Sequence, residues 1–289
     1  MLNELLLHPV TREALLAIVQ RQPHAVLLKG PRGSGKGFTA TVLAADFLGC
    51  LPAELESQPY FLHILPENDS IKIEQVRELK QFMQLKTTGR AQIRRVVIIE
   101  DIMLMGDEAQ NALLKLLEEP PADTILILTS TNSPVVRPTI LSRVQTVVIQ
   151  APAEAQCEQY FVAKGYDPTD ISKAYAVSRG AAGLLQALLD AQDHPLLEHI
   201  ELAKQLLGAS KFDRLSQVEK LSKDRAGIEA LLEALNSICS AALQQTARAN
   251  NLQKLQRWYR SLKAVDAATN ALKSRPSNKL LLTNLFLEL

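Results

Sequence analysis

The sequence predicts an α/β protein: a layered domain on a parallel sheet, followed by a wholly helical second half. Three observations carry this. Short aliphatic runs alternate with stretches of helical period through the first half. A glycine-rich loop follows the first of those runs and opens a helix. After Ala151-Pro152 the strand signals stop, and only helical patterns punctuated by glycine and proline remain.

Taken in order, Ala25 to Leu28, Phe61 to Leu65, Val96 to Ile99 and Ile125 to Leu128 read as strands, with a weaker fifth run at Thr146 to Ile149. Between them, Thr39 to Leu48, Ile73 to Met83 and Asp107 to Leu117 repeat apolar residues three and four apart, the period of a helix that buries one face. From Glu154 to about Asp190 there is room for three short helices, broken at Asp167-Pro168 and Arg179-Gly180. Longer helices follow Asp193-His194-Pro195, ending in Asn278 to Leu289 with a broad apolar face. Boundaries are therefore expected near 152 and 193, giving segments 1–152, 153–193 and 194–289.

Composition agrees. The chain has 289 residues, 47% hydrophobic but only 4% aromatic, which excludes disorder and suits aliphatic helix packing. Lysine and arginine number 32 against 31 acidic residues, so no bulk field drives nucleic-acid or membrane binding. Cys50, Cys157 and Cys239 are too few and scattered for a disulfide framework or a four-ligand zinc site. No zinc is expected. With no basic region and apolar core at Met1 to Pro9 and no long apolar run, a cytoplasmic protein without a membrane partner is expected.

The loop Gly30-Pro31-Arg32-Gly33-Ser34-Gly35-Lys36 has phosphate-binding spacing. Its glycines let backbone N–H groups turn toward phosphate oxygens, the helix N-terminus adds partial positive charge, and Lys36 can reach the outer phosphates. The next residue is usually a serine or threonine that ligates magnesium; here it is Gly37. Val96 to Ile99 runs into Glu100-Asp101, where nucleotidases usually place aspartate before glutamate. Both charges are present with their lengths exchanged. Displacing a reacting group by about an ångström costs on the order of a hundredfold in rate. The site is thus expected to bind ATP weakly, to hold magnesium poorly and to hydrolyse poorly.

The stretch Asp107-Glu108-Ala109-Gln110-Asn111-Ala112-Leu113-Leu114-Lys115-Leu116-Leu117-Glu118-Glu119-Pro120-Pro121 resembles the signature helix of the AAA+ subunits of bacterial clamp loaders. The phosphate loop, Ile71 to Leu79 and Pro138-Thr139-Ile140-Leu141-Ser142-Arg143 match in order around it, so the resemblance spans about residues 8 to 150. It implies an AAA+ nucleotide-binding domain, a three-helix lid and a helical collar that joins subunits into a ring. It also implies gamma/tau-type motor subunits, a delta-type subunit and a sliding clamp as partners, with primed DNA met through the assembled complex.

Leu141-Ser142-Arg143-Val144 resembles the family's Ser-Arg-Cys segment, whose arginine acts on a neighbour's nucleotide. The resemblance makes Arg143 the candidate finger, a role suited to a planar, permanently charged guanidinium. Thr131, in Thr129-Ser130-Thr131-Asn132, is the nearest match to the first nucleotide sensor, and Gly183 falls where the second sensor's arginine is expected. The family's cysteine cluster is absent. Lys86, Arg90, Arg94 and Arg95 read as a solvated basic loop, with DNA contact as the rival reading. Together these features describe a mostly non-hydrolysing ring subunit. The alternatives are an active loader ATPase of the gamma/tau type and an AAA+ scaffold serving another process.

Overall fold

The computed structural model describes residues 1–67, 70–89, 91–131, 136–190, 195–249, 251–272, 274 and 276–289, with no side-chain statement for 195, 226 and 248. It divides into two compact units, Met1–Gln156 and Cys157–Leu289.

Five strands, β1 (Ala25–Lys29), β2 (Phe61–Ile64), β3 (Arg95–Ile99), β4 (Thr124–Ser130) and β5 (Gln145–Val148), form one sheet in the order β2-β3-β4-β1-β5. Every pairing is parallel. All five predicted runs are present, each within two residues of its expected bounds. Parallel strands need crossover connections, and these cover both faces of the sheet. Val26, Leu28, Val96, Ile98, Ile125 and Ile127 pack on one side with α1 (Pro9–Arg21) and α2 (Lys36–Leu48). Ala25, Leu27, Val97, Ile99, Leu126 and Leu128 pack on the other with α3 (Ile73–Met83), α4 (Asp107–Glu118) and the one-turn helix α5 (Pro138–Leu141). That two-residue alternation explains why the strands read as continuous apolar runs. Each buried valine, leucine or isoleucine among them contributes about 1.5–3 kcal/mol relative to exposure.

Local signals set the helix ends. Pro9 opens α1 and the His8 side chain accepts the Val10 N–H, while Gln22 in the left-handed region closes it. Asp107 and Glu108 lie in the first turn of α4 and Lys115 in its last, matching the helix dipole. Thr11 Oγ1 donates to the Val148 carbonyl and accepts the Gln150 N–H, fastening α1 to the end of β5.

The basic stretch departs from the solvated loop the sequence predicts. Arg95 begins β3 and is 1% exposed. Its guanidinium donates to the carbonyls of Met83 (2.7 Å) and Leu85, and stacks 5.5 Å from the Phe82 ring centroid. It is therefore a clamp on the end of α3, where helix carbonyls lack intrahelical partners. Arg94 pairs with Asp123 at 3.0 Å. Arg90 lies outside the described residues.

From Glu154 onward the described elements are helical: α6 (Glu154–Val162), α7 (Pro168–Ser178), α8 (Ala182–Asp190), α9 (Pro195–Gly208), α10 (Lys211–Ser216), α11 (Val218–Leu221), α12 (Arg225–Arg248), α13 (Leu252–Leu272) and α14 (Asn278–Glu288). The expected boundary at 193 lies outside the described residues. Ala181 and Leu184 before it share one buried cluster with Leu196 and Ile200 after it. Leu281, Leu282, Leu285 and Phe286 of α14 are buried in that cluster, and Trp258 packs against it. No described helix is long and apolar enough to cross a membrane.

Replacing Arg95 leaves the buried Met83 carbonyl without its donor and takes a second donor from the part-buried Leu85 carbonyl. Arg95→Ala is expected to lower unfolding stability by about 2–4 kcal/mol, read from the denaturant midpoint. A loss below about 0.5 kcal/mol, the range of ordinary surface changes, would contradict the clamp.

Candidate functional site

In a parallel sheet the carboxyl ends of the strands lie at one edge, and there the candidate residues gather. Gly30 follows β1, and its N–H donates to the carbonyl of Ser130 at the end of β4 (3.2 Å). Ile99 is paired with Leu128, so Glu100 and Asp101 leave β3 beside Thr129 and Ser130.

The loop has the form its glycines predict. Gly33 and Gly35 have φ of 72° and 82°, the left-handed region that suits residues without a Cβ. Gly35 is the N-cap of α2 and Lys36 its first residue. Lys36 Nζ donates to the Pro31 carbonyl (2.9 Å). The Ser34 hydroxyl is buried with no hydrogen-bond partner, a polar atom left over inside the loop. With the N–H groups and the partial positive charge at the start of α2, these residues can hold a phosphate group.

Gly37 faces Glu100: a Cβ at position 37 would lie 2.7 Å from Glu100 Oε1. His63 Nε2 donates to that same oxygen at 3.1 Å. Asp101 has φ of 50°, and its backbone N–H donates to Thr129 Oγ1 at 2.9 Å. One Asp101 carboxylate oxygen is buried without a partner. Burial pushes the Asp101 carboxyl above its ordinary value, opposed by the positive charges of Lys36 and Arg32. Neither acid is the solvated strand end that would be the bland reading of the pair.

Arg143 follows α5. Its guanidinium donates to Glu118 Oε1 (2.8 Å), the Thr139 carbonyl (2.9 Å) and Ser142 Oγ (3.1 Å), and is partly exposed. In the isolated chain, then, this arginine rests on the last turn of α4. Arg137 binds the same helix through Asp107 and Asn111. Asp107, Asn111 and Glu118 recur at helical spacing, so α4 offers α5 one polar stripe. Val144, where the family has cysteine, packs against the apolar cluster that holds Leu113, Leu117 and Ile140.

Thr131 is partly buried, and its carbonyl accepts the Ser130 hydroxyl. Its neighbour Asn132 lies outside the described residues. The buried threonine that reaches the Asp101 backbone is Thr129. Neither Thr129 nor His63 stands out in the sequence; strand register is what brings each to the acids. In the second unit Gly183 lies in α8, and Arg179, the C-cap of α7, donates to Asn236 Oδ1 (2.8 Å). Among the described residues no cluster of three or more histidine, cysteine or acidic side chains could hold a metal ion.

Ionised Asp101 is disfavoured by the fold, so the native state binds its proton more tightly than the unfolded chain does. Its contribution to stability must therefore fall as pH rises above 3.8 toward the raised native value. Asp101→Asn removes this loss. The variant's stability relative to the parent is expected to increase from pH 4 to pH 7, measured by urea unfolding. A pH-independent difference would contradict the burial effect.

The family model for the delta subunit of DNA polymerase III matches residues 14–153. The delta-prime subunit of Pseudomonas aeruginosa DNA polymerase III is 30% identical over 74% of this chain and 66% of its own length. That of Bacillus subtilis is 32% identical over 45% and 43%. The chain thus matches less than two thirds of the length of these relatives. A gamma subunit-related protein of Thermotoga maritima shares the fold, with a TM-score of 0.54 at 21% identity, over 95% of this chain and 97% of that one. With a phosphate loop on a five-stranded parallel sheet, the chain is similar to the delta-prime subunits of bacterial DNA polymerase III.

Proposed function

We propose that the chain is a clamp-loader subunit acting as a stator, which turns over little nucleotide itself and presents Arg143 to the nucleotide of an adjacent gamma/tau-type motor subunit. A delta-type subunit and the sliding clamp are its further partners in the cytoplasm, with primed DNA engaged through the assembly. ATP is taken weakly, held by the N–H groups of Gly33, Gly35 and the first turn of α2 together with Lys36.

The observation that carries this reading is an asymmetry between two places in one domain. At the loop, position 37 has no hydroxyl and the acid at position 100 is the longer one, already bonded to His63. After α5, an arginine stands partly exposed at the surface with its fork held by one carboxylate, one carbonyl and one hydroxyl. An exposed ion pair of this kind is worth about 0–1 kcal/mol, so a phosphate with more charge can displace Glu118. A guanidinium delivered in trans can change phosphoryl-transfer rates by roughly 10³–10⁵.

A second reading, an active gamma/tau-type ATPase, is favoured by the intact loop geometry around Gly33, Gly35 and Lys36. The readings separate in two assays. Arg143→Ala should leave folding and ring assembly intact while the ring's hydrolysis falls by more than about tenfold; unchanged hydrolysis removes the finger. Steady-state hydrolysis by the purified chain alone, abolished by Lys36→Ala, would establish the motor reading instead.

A further inference from the structure

Gly37 stands where a hydroxyl would join the magnesium shell of a hydrolysing site. The space a side chain would need there is already filled. A Cβ at 37 would meet Glu100 Oε1 at 2.7 Å, and Glu100 Cδ and Oε2 at 3.2 Å. A free glutamate could swing aside, but Glu100 is half-buried and its Oε1 accepts from His63 Nε2 at 3.1 Å. His63 in turn is fixed by the sheet, because it lies inside β2, paired with Ile98 of β3.

The rest of the donor set does not fit magnesium either. That ion wants near-octahedral oxygen ligands at short range. One Glu100 oxygen is committed to His63, and Asp101 is turned into the left-handed region with an oxygen buried.

We propose that Gly37, Glu100 and His63 form one coupled unit, in which the carboxylate held by His63 occupies the place of the missing hydroxyl, so that the loop takes nucleoside phosphates without a divalent cation. Loss of the hydroxyl and lengthening of the acid are then a single change. Glycine at 37 is required by Glu100, and neither position can be reverted alone. This concerns the chain's own loop and stands or falls apart from the role of Arg143.

A double-mutant cycle on the full chain tests it with Gly37→Ser, Glu100→Asp and the pair. Serine is the better helix former, so at an uncrowded position it should raise the melting temperature. Against Glu100 it is expected to lower it by about 1–3 °C, a cost of crowding. In the Glu100→Asp background, where the oxygens are withdrawn, the same change should raise it. Equal effects in both backgrounds overturn the coupling. His63→Ala, which frees Glu100 to move, should shrink the penalty of Gly37→Ser; an undiminished penalty counts against the histidine.

Magnesium supplies the second arm. The shift in melting temperature that ATP gives the parent chain should be the same in magnesium as in EDTA. The double variant should bind ATP at least about fivefold more tightly with magnesium. A parent chain that ATP stabilises only in the presence of magnesium overturns the proposal, as does a double variant indifferent to the metal.

Discussion

Parallel pairing with β1 between β4 and β5 is the constraint on which the candidate site depends. Because all strands point the same way, their carboxyl ends share one edge, and residues distant in sequence emerge there side by side. Gly30, Glu100-Asp101 and Thr129-Ser130 are neighbours for that reason. The ladder holds them to within a residue, since a slip of one would turn every side chain to the opposite face and expose a buried row. Both faces are closed by crossover helices, so the register is enforced twice, by Leu28 and Ile98 on one side and Leu27 and Ile99 on the other.

That edge has two kinds of strain built into it. Asp101 sits at φ 50°, a conformation that aspartate tolerates better than most residues but that still costs energy. Its carboxylate is also buried with one oxygen unsatisfied. The bond from its N–H to Thr129 and the positive charges of Lys36 and Arg32 offset part of this. Glu100 is quiet by comparison, bonded to His63 and packed against Gly37. The loop thus has the backbone form that its glycines predict, and the two acids beside it have different surroundings.

The contact between α4 and α5 is arranged more simply. The helix α4 presents Asp107, Asn111 and Glu118 along one stripe, and the two arginines flanking α5 bind it. Arg137 fixes α5 on α4. Arg143 hangs from the last turn by an ion pair weak enough to exchange. A short helix otherwise too small to hold itself is kept in place by its neighbour's polar face.

The sequence by itself determined the strands, the main helices and the glycine-rich loop. Each of these is a local matter: apolar period, capping residues, or glycine where φ must be positive. Only the tertiary structure decided which residues attend the acids. His63 and Thr129 carry no local signal, being polar residues inside strands, and they matter because β2 and β4 flank β3. Arg95 reads as part of a basic loop in one dimension and becomes a buried clamp because α3 ends above β3 with carbonyls to satisfy. Glu118 is one of two adjacent glutamates in the sequence, and the turn of α4 chooses it for Arg143. Pattern along a chain reports the period of an element, whereas the partners of a side chain are set by which elements the sheet order makes adjacent.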